Sequence, residues 1–237
     1  MIPSRPQSKR RSETPAAAIR AVVFDWDGTL LDSYHADATA YQVMFRTLGI
    51  EWGIAELEKH YSPNWHRVYR AAGIPRGRWT EADRLWRQAY THLRPALMPG
   101  TRRVLRLVAR NHVMALVTSG NGMRVRGQLR EFGLAQLFRV AVFGEDARHK
   151  KPHPAALKLA LARLRLKPEE CVYVGDSPED IEMARRAGVR AIAVLGPFPN
   201  HERLRASEMD ALLESLDELP EALKKLCPPT ARKRKSG

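Results

Sequence analysis

The chain has 237 residues, 44% of them hydrophobic, which suits one large domain or one domain with an insert and argues against global disorder. No run of about 18 apolar residues occurs, so no helical membrane span is expected, and the basic N-terminus lacks the apolar stretch of a secretory signal. The formal net charge is +14, and the ends carry most of it: +4 in residues 1–20 and +6 in residues 224–237. These ends, rich in Pro, Ser, Lys and Arg, read as disordered basic tails over residues 1–18 and 224–237. Such tails can touch nucleic acid non-specifically, although solvated ends are the plainer reading. Only Cys171 and Cys227 occur, without metal-like spacing, so a reducing cytoplasm is expected rather than a disulfide framework.

In chain order, "IRAVVF" (residues 19–24) is the first predicted strand, and "DWDGTLLDS" follows it directly. Residues 34–98 then break into helical segments, "YHADATAYQVMFRTLG", "IAELEKH", "NWHRVYRAAG" and "EADRLWRQAYTHL", with no clear strand among them. They read as an all-helical cap whose small core holds Trp52, Trp65, Trp79 and Trp86. After "MPG", strands alternate with helices: "VMALV", "RVAVF", "CVYV" and "RAIAVL" between "TRRVLRLVAR", "MRVRGQLREFG", "HPAALKLALARLR" and "PEDIEMARRAG". Continuous apolar strands are those buried on both faces. The expected fold is therefore α/β, a Rossmann-like parallel sheet with helices on both faces over residues 19–33 and 99–223, with the cap inserted after the first strand.

Ligands of such sheets bind beyond the carboxyl ends of the strands. Asp25 and Asp27 follow the first strand, and Thr118, Ser119, Gly120 and Asn121 the second. Lys150 and Lys151 precede a helix after the third strand, and Asp176 and Asp180 follow the fourth. Asp25, Asp27 and Asp176 offer hard oxygens at one edge, which calls for a cation, and Mg²⁺ suits few protein ligands plus a phosphate. Lys151, Thr118 and the N–H groups leading to a helix start near Gly122 would hold phosphate oxygens. Asp25 would attack phosphorus, and Asp27 would pass a proton to the leaving alcohol and later take one from water. Thr118 and Asn121 also suit helix capping, Asp180 suits capping or lining its helix, and Asp146 suits the surface. In the cap, His60, Tyr61, His66, Arg67, Tyr69 and Arg70 are candidates to meet substrate, each more simply read as surface or core.

"DWDGTLLDS", "LVTSG", "KKPHP" and "VYVGDSPEDIEMARRAG" together resemble the four motifs of haloacid dehalogenase-like hydrolases, nearest to the phosphoglycolate-phosphatase-like and β-phosphoglucomutase-like members. The resemblance covers residues 19–223. It implies that Asp25 is a phosphorylated nucleophile and that Asp27 is the acid/base and lends a backbone carbonyl to Mg²⁺. It also implies that Thr118 is the motif-two hydroxyl, that Lys151, directly before proline, is the motif lysine in preference to Lys150, that Asp176 is a metal ligand, and that Asp180 supports the metal or the lysine. Trp26 falls at a variable position. The implied activity is Mg²⁺-dependent hydrolysis of a small phosphomonoester, phosphoglycolate-like or a sugar phosphate, by a monomer or dimer. A phosphosugar mutase would keep the same motifs, and a nucleic-acid-binding protein acting through the tails is the alternative of another class. A dehalogenase would need neither Asp27 nor Asp176.

Overall fold

The computed structural model describes residues 18–226, so most of the two basic tails lies outside the described residues. Lys224 and Lys225 do not belong to a tail: they sit in the last turns of a C-terminal helix.

The elements run β1 (Ala21–Phe24), β2 (Leu31–Asp32), α1 (Tyr34–Leu48), α2 (Ile54–His60), α3 (Trp65–Ala71) and α4 (Trp79–Tyr90). They continue with β3 (Ala96–Leu97), α5 (Thr101–Val108), β4 (Val113–Val117), α6 (Gly122–Glu131), β5 (Val140–Val142) and α7 (Ala155–Leu164). The chain closes with β6 (Cys171–Gly175), α8 (Pro178–Ala187), β7 (Arg190–Val194), α9 (His201–Arg205), β8 (Ala211–Leu213) and α10 (Leu219–Leu226). Six strands form one parallel sheet in the order β5-β4-β1-β6-β7-β8. The five predicted strands are all present. β8, a three-residue edge strand, was not anticipated.

Alternate residues of β1 supply both sides of the sheet. Val22 and Phe24 enter the cluster that contains Val104 and Leu105 of α5, Val125 of α6 and Leu223 of α10. Ala21 and Val23 enter the opposite cluster, with Leu157 and Leu161 of α7 and Ile181 and Met183 of α8. This two-sided burial is why the strand sequences are continuously apolar. No helix among the described residues is long and apolar enough to cross a membrane.

The helical segment leaves the sheet through β2 and returns through β3, which pair antiparallel with Leu31 opposite Leu97. The expectation of a strand-free stretch over residues 34–98 is corrected by β3. A two-residue strand carries no periodicity, and only its partner defines it. Helices α1 to α4 have their own apolar cluster of Tyr41, Met44, Phe45, Leu57, Val68 and Tyr69, against which Trp52, Trp65, Trp79 and Trp86 pack. This segment sits on the sheet edge through Ser62 Oγ, which donates to Glu179 Oε1 at 2.9 Å, and through Tyr61 stacked on Phe198 at 4.7 Å. Because β1 lies between β4 and β6, the chain leaves its carboxyl end in both directions, and that topological switch point is where a crevice opens.

Candidate active site

Asp25 follows β1 directly, and its N–H donates to Val174 of β6. Its carboxylate is 7% exposed, and Oδ1 accepts from Lys151 Nζ at 2.7 Å. Lys151 arrives from the loop before α7 and is 2% exposed. It also reaches Asp180 Oδ1 at 2.7 Å and the Tyr173 hydroxyl at 2.9 Å. Asp176 follows β6 and accepts from Thr29 Oγ1 at 2.8 Å. Oxygens of Asp25, Asp176 and Asp180 all lie within 4.8 Å of one another, and all three residues are buried.

One lysine cannot balance three buried carboxylates. Burial, against the opposing pull of Lys151, pushes the Asp25 carboxyl up to about 7, and Asp180 and Asp27 add to the rise. Asp176 is held well above the ordinary carboxylate range, by burial first and then by Asp25 and Asp180. Burial alone would lower Lys151, but Asp180 and Asp25 outweigh it and hold the ammonium charged. A cluster with this charge deficit fits a hard divalent cation.

Asp180 is held by protein groups on both of its oxygens. Its Oδ1 faces Lys151 and Tyr173 at 2.9 Å, and its Oδ2 accepts from Ser177 Oγ at 2.6 Å and Ser177 N at 3.2 Å. Both oxygens are occupied, so Asp180 braces Lys151 while closing the capping box of α8.

Backbone geometry permits this crowding. Gly28 has φ +83°, and a Cβ there would stand 2.2 Å from Asp176 Oδ2. No other residue type fits that turn without moving the carboxylate.

Asp27 is placed differently from its neighbour. Its side chain lies outside the carboxylate cluster and forms a bidentate ion pair with Arg124 of α6, at 2.9 and 2.5 Å.

The motif-two loop is also rearranged relative to expectation. Thr118 is buried, and its hydroxyl accepts from Gly120 N at 2.9 Å. The N-terminus of α6 does not present free N–H groups: Gly122 N donates to Glu145 at 2.9 Å, and Asn121 Oδ1 accepts from Met123 and Arg124 N. The expected helix-end phosphate site near Gly122 is thus already capped, as the acidic Glu145 and the Asn cap both favour.

Thr118, Ser119, Gly120 and Lys150 line one cavity of about 290 Å³ together with Asp25, Asp27 and Asp176. Lys150 sits over the Trp65 ring and donates to Gly144 O, whereas Lys151 holds the carboxylates. Tyr61 and Tyr69 line the cavity from the helical segment. His60 instead stacks on Trp52, His66 on Trp79, and Arg67 pairs with Glu179 at 3.5 Å. Asp146 accepts from Phe143 N at 3.0 Å and shapes its own loop.

Several lining residues were not foreseen: Asp37, Asp83, Trp86, Arg124, Phe198 and Asn200. Trp65 and Trp86 belong to the helical core, as expected, yet each also lines the cavity; the Trp65 indole N–H is buried without a hydrogen-bond partner, and that of Trp86 faces Asp37. Tyr173 was equally unforeseen. A tyrosine in the middle of an apolar strand is itself a signal, because its buried hydroxyl must find a partner.

Residues 22–194 match the family described as haloacid dehalogenase-like hydrolase. Phosphoglycolate phosphatase 1 of Pseudomonas aeruginosa is 33% identical over 206 residues, 82% of this chain and 75% of that protein. Phosphoglycolate phosphatase of Salmonella typhimurium is 30% identical over 236 residues, 86% of this chain and 92% of that one. Among solved structures, CbbY from Rhodobacter sphaeroides in complex with phosphate superposes with TM-score 0.72 at 26% identity, over 85% of this chain and 96% of that one. Since one family spans the whole stretch from β1 to β7 and so contains every motif residue of the cavity, the chain belongs to the haloacid dehalogenase-like hydrolases.

Proposed function

We propose that the protein is a Mg²⁺-dependent phosphatase that hydrolyses a small phosphomonoester through an aspartyl-phosphate at Asp25. The observation that carries this reading is the placement of Asp25: buried at the cavity wall, 2.7 Å from Lys151, and within 4.8 Å of a second acceptor carboxylate, Asp176. Asp25 and Asp176, with the Asp27 carbonyl, would hold Mg²⁺. The bound ion would offset carboxylate charge and favour the ionised form of Asp25.

An Asp25 oxygen attacks phosphorus, and the bond from phosphorus to the ester oxygen breaks. Asp27, paired as a carboxylate with Arg124, must release one oxygen and take up a proton before it can give that proton to the leaving oxygen, which then departs as an alcohol. In the second half, Asp27 takes a proton from water as the water attacks phosphorus. The acyl-phosphate bond breaks, restoring the Asp25 carboxylate and releasing inorganic phosphate. Lys151 keeps a fixed positive charge beside the reacting oxygens, and Thr118, Ser119 and Gly120 orient the phosphoryl group.

A phosphoglycolate-like substrate is supported by the names of the relatives, and a cavity with room beyond a phosphoryl group suits that ester or a sugar phosphate. The cytoplasm is the compartment that suits such a metabolite. Phosphate release from a panel of phosphomonoesters with Mg²⁺ tests the reading. Turnover of at least one small ester is expected, and no release from any of them contradicts it.

A further inference from the structure

We infer that Arg124 is the positioning residue for Asp27 and that it makes the setting of Asp27 depend on contact with α4. This rests on the proton-shuttle reading of Asp27 given above.

Arg124 stands in the first turn of α6, a helix of the sheet domain. Its guanidinium grips both Asp27 oxygens, Nη1 on Oδ1 at 2.9 Å and Nη2 on Oδ2 at 2.5 Å. This fork geometry fixes the plane of a carboxylate as well as its position. The same Nη1 lies 3.3 Å from the Tyr90 hydroxyl and 3.2 Å from Gln128 Oε1. Gln128 in turn accepts from the Trp26 indole at 2.9 Å, so the residue preceding Asp27 is tied to the same frame.

The aromatic rings beside Arg124 come from α4. The guanidinium carbon lies 4.9 Å from the Tyr90 ring centre and 5.9 Å from that of Trp86. Such contacts favour the charged, desolvated guanidinium. Gly120 makes the pairing sterically feasible: a Cβ there would stand 2.4 Å from Arg124 Nη2 and 3.1 Å from Asp27 Oδ2.

Asp27 is therefore held by a side chain that also contacts Tyr90 and Trp86 of the helical segment and Gln128 of its own helix. A change in where α4 sits relative to α6 alters the support of Arg124, and with it the direction of the Asp27 carboxylate. Arg124 also lines the cavity, and its buried Nε has no hydrogen-bond partner in the protein.

The test uses the full chain with Mg²⁺ and compares an alkyl phosphate with 4-nitrophenyl phosphate. The alkoxide needs a proton to leave and the nitrophenolate does not, so only the alkyl substrate reports Asp27 positioning in the first half-reaction. Arg124→Ala should lose at least about tenfold more kcat on the alkyl phosphate than in the nitrophenyl burst, with little change in KM; general acid catalysis supplies about 10²–10⁴-fold in all. Adding Arg124→Ala to Asp27→Asn should cost no further activity, because the two act as a unit. Tyr90→Phe, which removes one oxygen and keeps the ring, should show the same selective loss at smaller size. Equal losses on both substrates, a raised KM for every ester, or additive losses in the double variant overturn the inference. If Asp27→Asn itself shows no dependence on leaving group, the proton-shuttle reading fails first; if Asp27→Asn shows it and Arg124→Ala does not, only the inference about Arg124 fails.

Discussion

Lys151 Nζ stands 2.7 Å from Asp25 and 2.7 Å from Asp180, bridging two buried carboxylates, one directly after β1 and the other in the first turn of α8. The lysine is thus a structural counter-ion as well as a neighbour of the reacting atom. Breaking a buried ion pair by removing one partner costs about 3–5 kcal/mol, because the other charge is left unpaired.

Lys151→Met should therefore lower Tm by roughly 2–4 °C for each kcal/mol of that cost, and kcat by more than about 10²-fold. Mg²⁺ should recover part of the lost Tm, since it supplies positive charge to the same carboxylates. Thermal denaturation with and without Mg²⁺, beside steady-state kinetics, checks this. An unchanged Tm would remove the counter-ion role.

The acids of the site set a pH dependence of stability. Asp25 is raised to about 7, by burial first. Asp37 is raised to about 7 as well, by burial and then by the charge of Asp27. In the unfolded chain both titrate near 3.9 or so. A raised folded value means that the native state holds its protons more tightly than the unfolded state does. The contribution to stability is thus fully present below about 4 and is lost as pH rises towards and through about 7. In chelator, Tm should fall between about pH 5 and pH 8 from these groups. Mg²⁺ should remove the share due to Asp25, and Asp37→Asn the share due to Asp37. A Tm that rises over this window in chelator, with no response to either change, would contradict these assignments.

Gly28→Ala should act on the metal rather than on the fold alone. The new methyl would meet Asp176 Oδ2 at 2.2 Å in a turn with φ +83°. Strain of this kind costs on the order of 1–3 kcal/mol. The Mg²⁺ concentration for half-maximal activity should rise at least about tenfold, as it does when the groups that orient metal ligands are disturbed. Titration of activity with Mg²⁺ reads this. An unchanged midpoint would show that Asp176 does not bind the ion.

Ca²⁺ should not replace Mg²⁺, because it takes more ligands at longer distances and favours bidentate carboxylates, which would occupy the attacking oxygen of Asp25. Activity should vanish in excess chelator, and Asp176→Ala should reproduce that loss. Full activity in chelator would exclude the metal.

Much of this was legible in the sequence for a physical reason. β1, β4, β6 and β7 are buried on both faces, so their composition alone declares them, and chemistry-bearing residues that follow such strands share one sheet edge. β2, β3 and β8 were not legible, because two or three residues hold no period and their existence depends on a distant partner. Arg124 was hidden by similar residues: Arg126 and Arg130 stand on the same helix, and 97 positions separate Arg124 from Asp27. Its place in the first turn after the Asn121 cap was the available signal, since that turn lies beside the carboxyl edge of the sheet. Lys151 was legible from its place before proline. Its tie to Tyr173 needed the strand register that brings β6 beside β1.

Hydrolysis through Asp25 requires a covalent bond between its carboxylate and phosphorus. Asp27→Asn should let that bond form on 4-nitrophenyl phosphate while slowing its hydrolysis, because no base remains to activate water. Rapid acid quenching of this variant, followed by mass spectrometry of its peptides, should show one phosphoryl group on the peptide that carries Asp25. The signal should be absent from the Asp25→Asn, Asp27→Asn double variant. Turnover by the unmodified protein without any phosphopeptide in the Asp27→Asn variant, or turnover retained by Asp25→Asn alone, would contradict the claim.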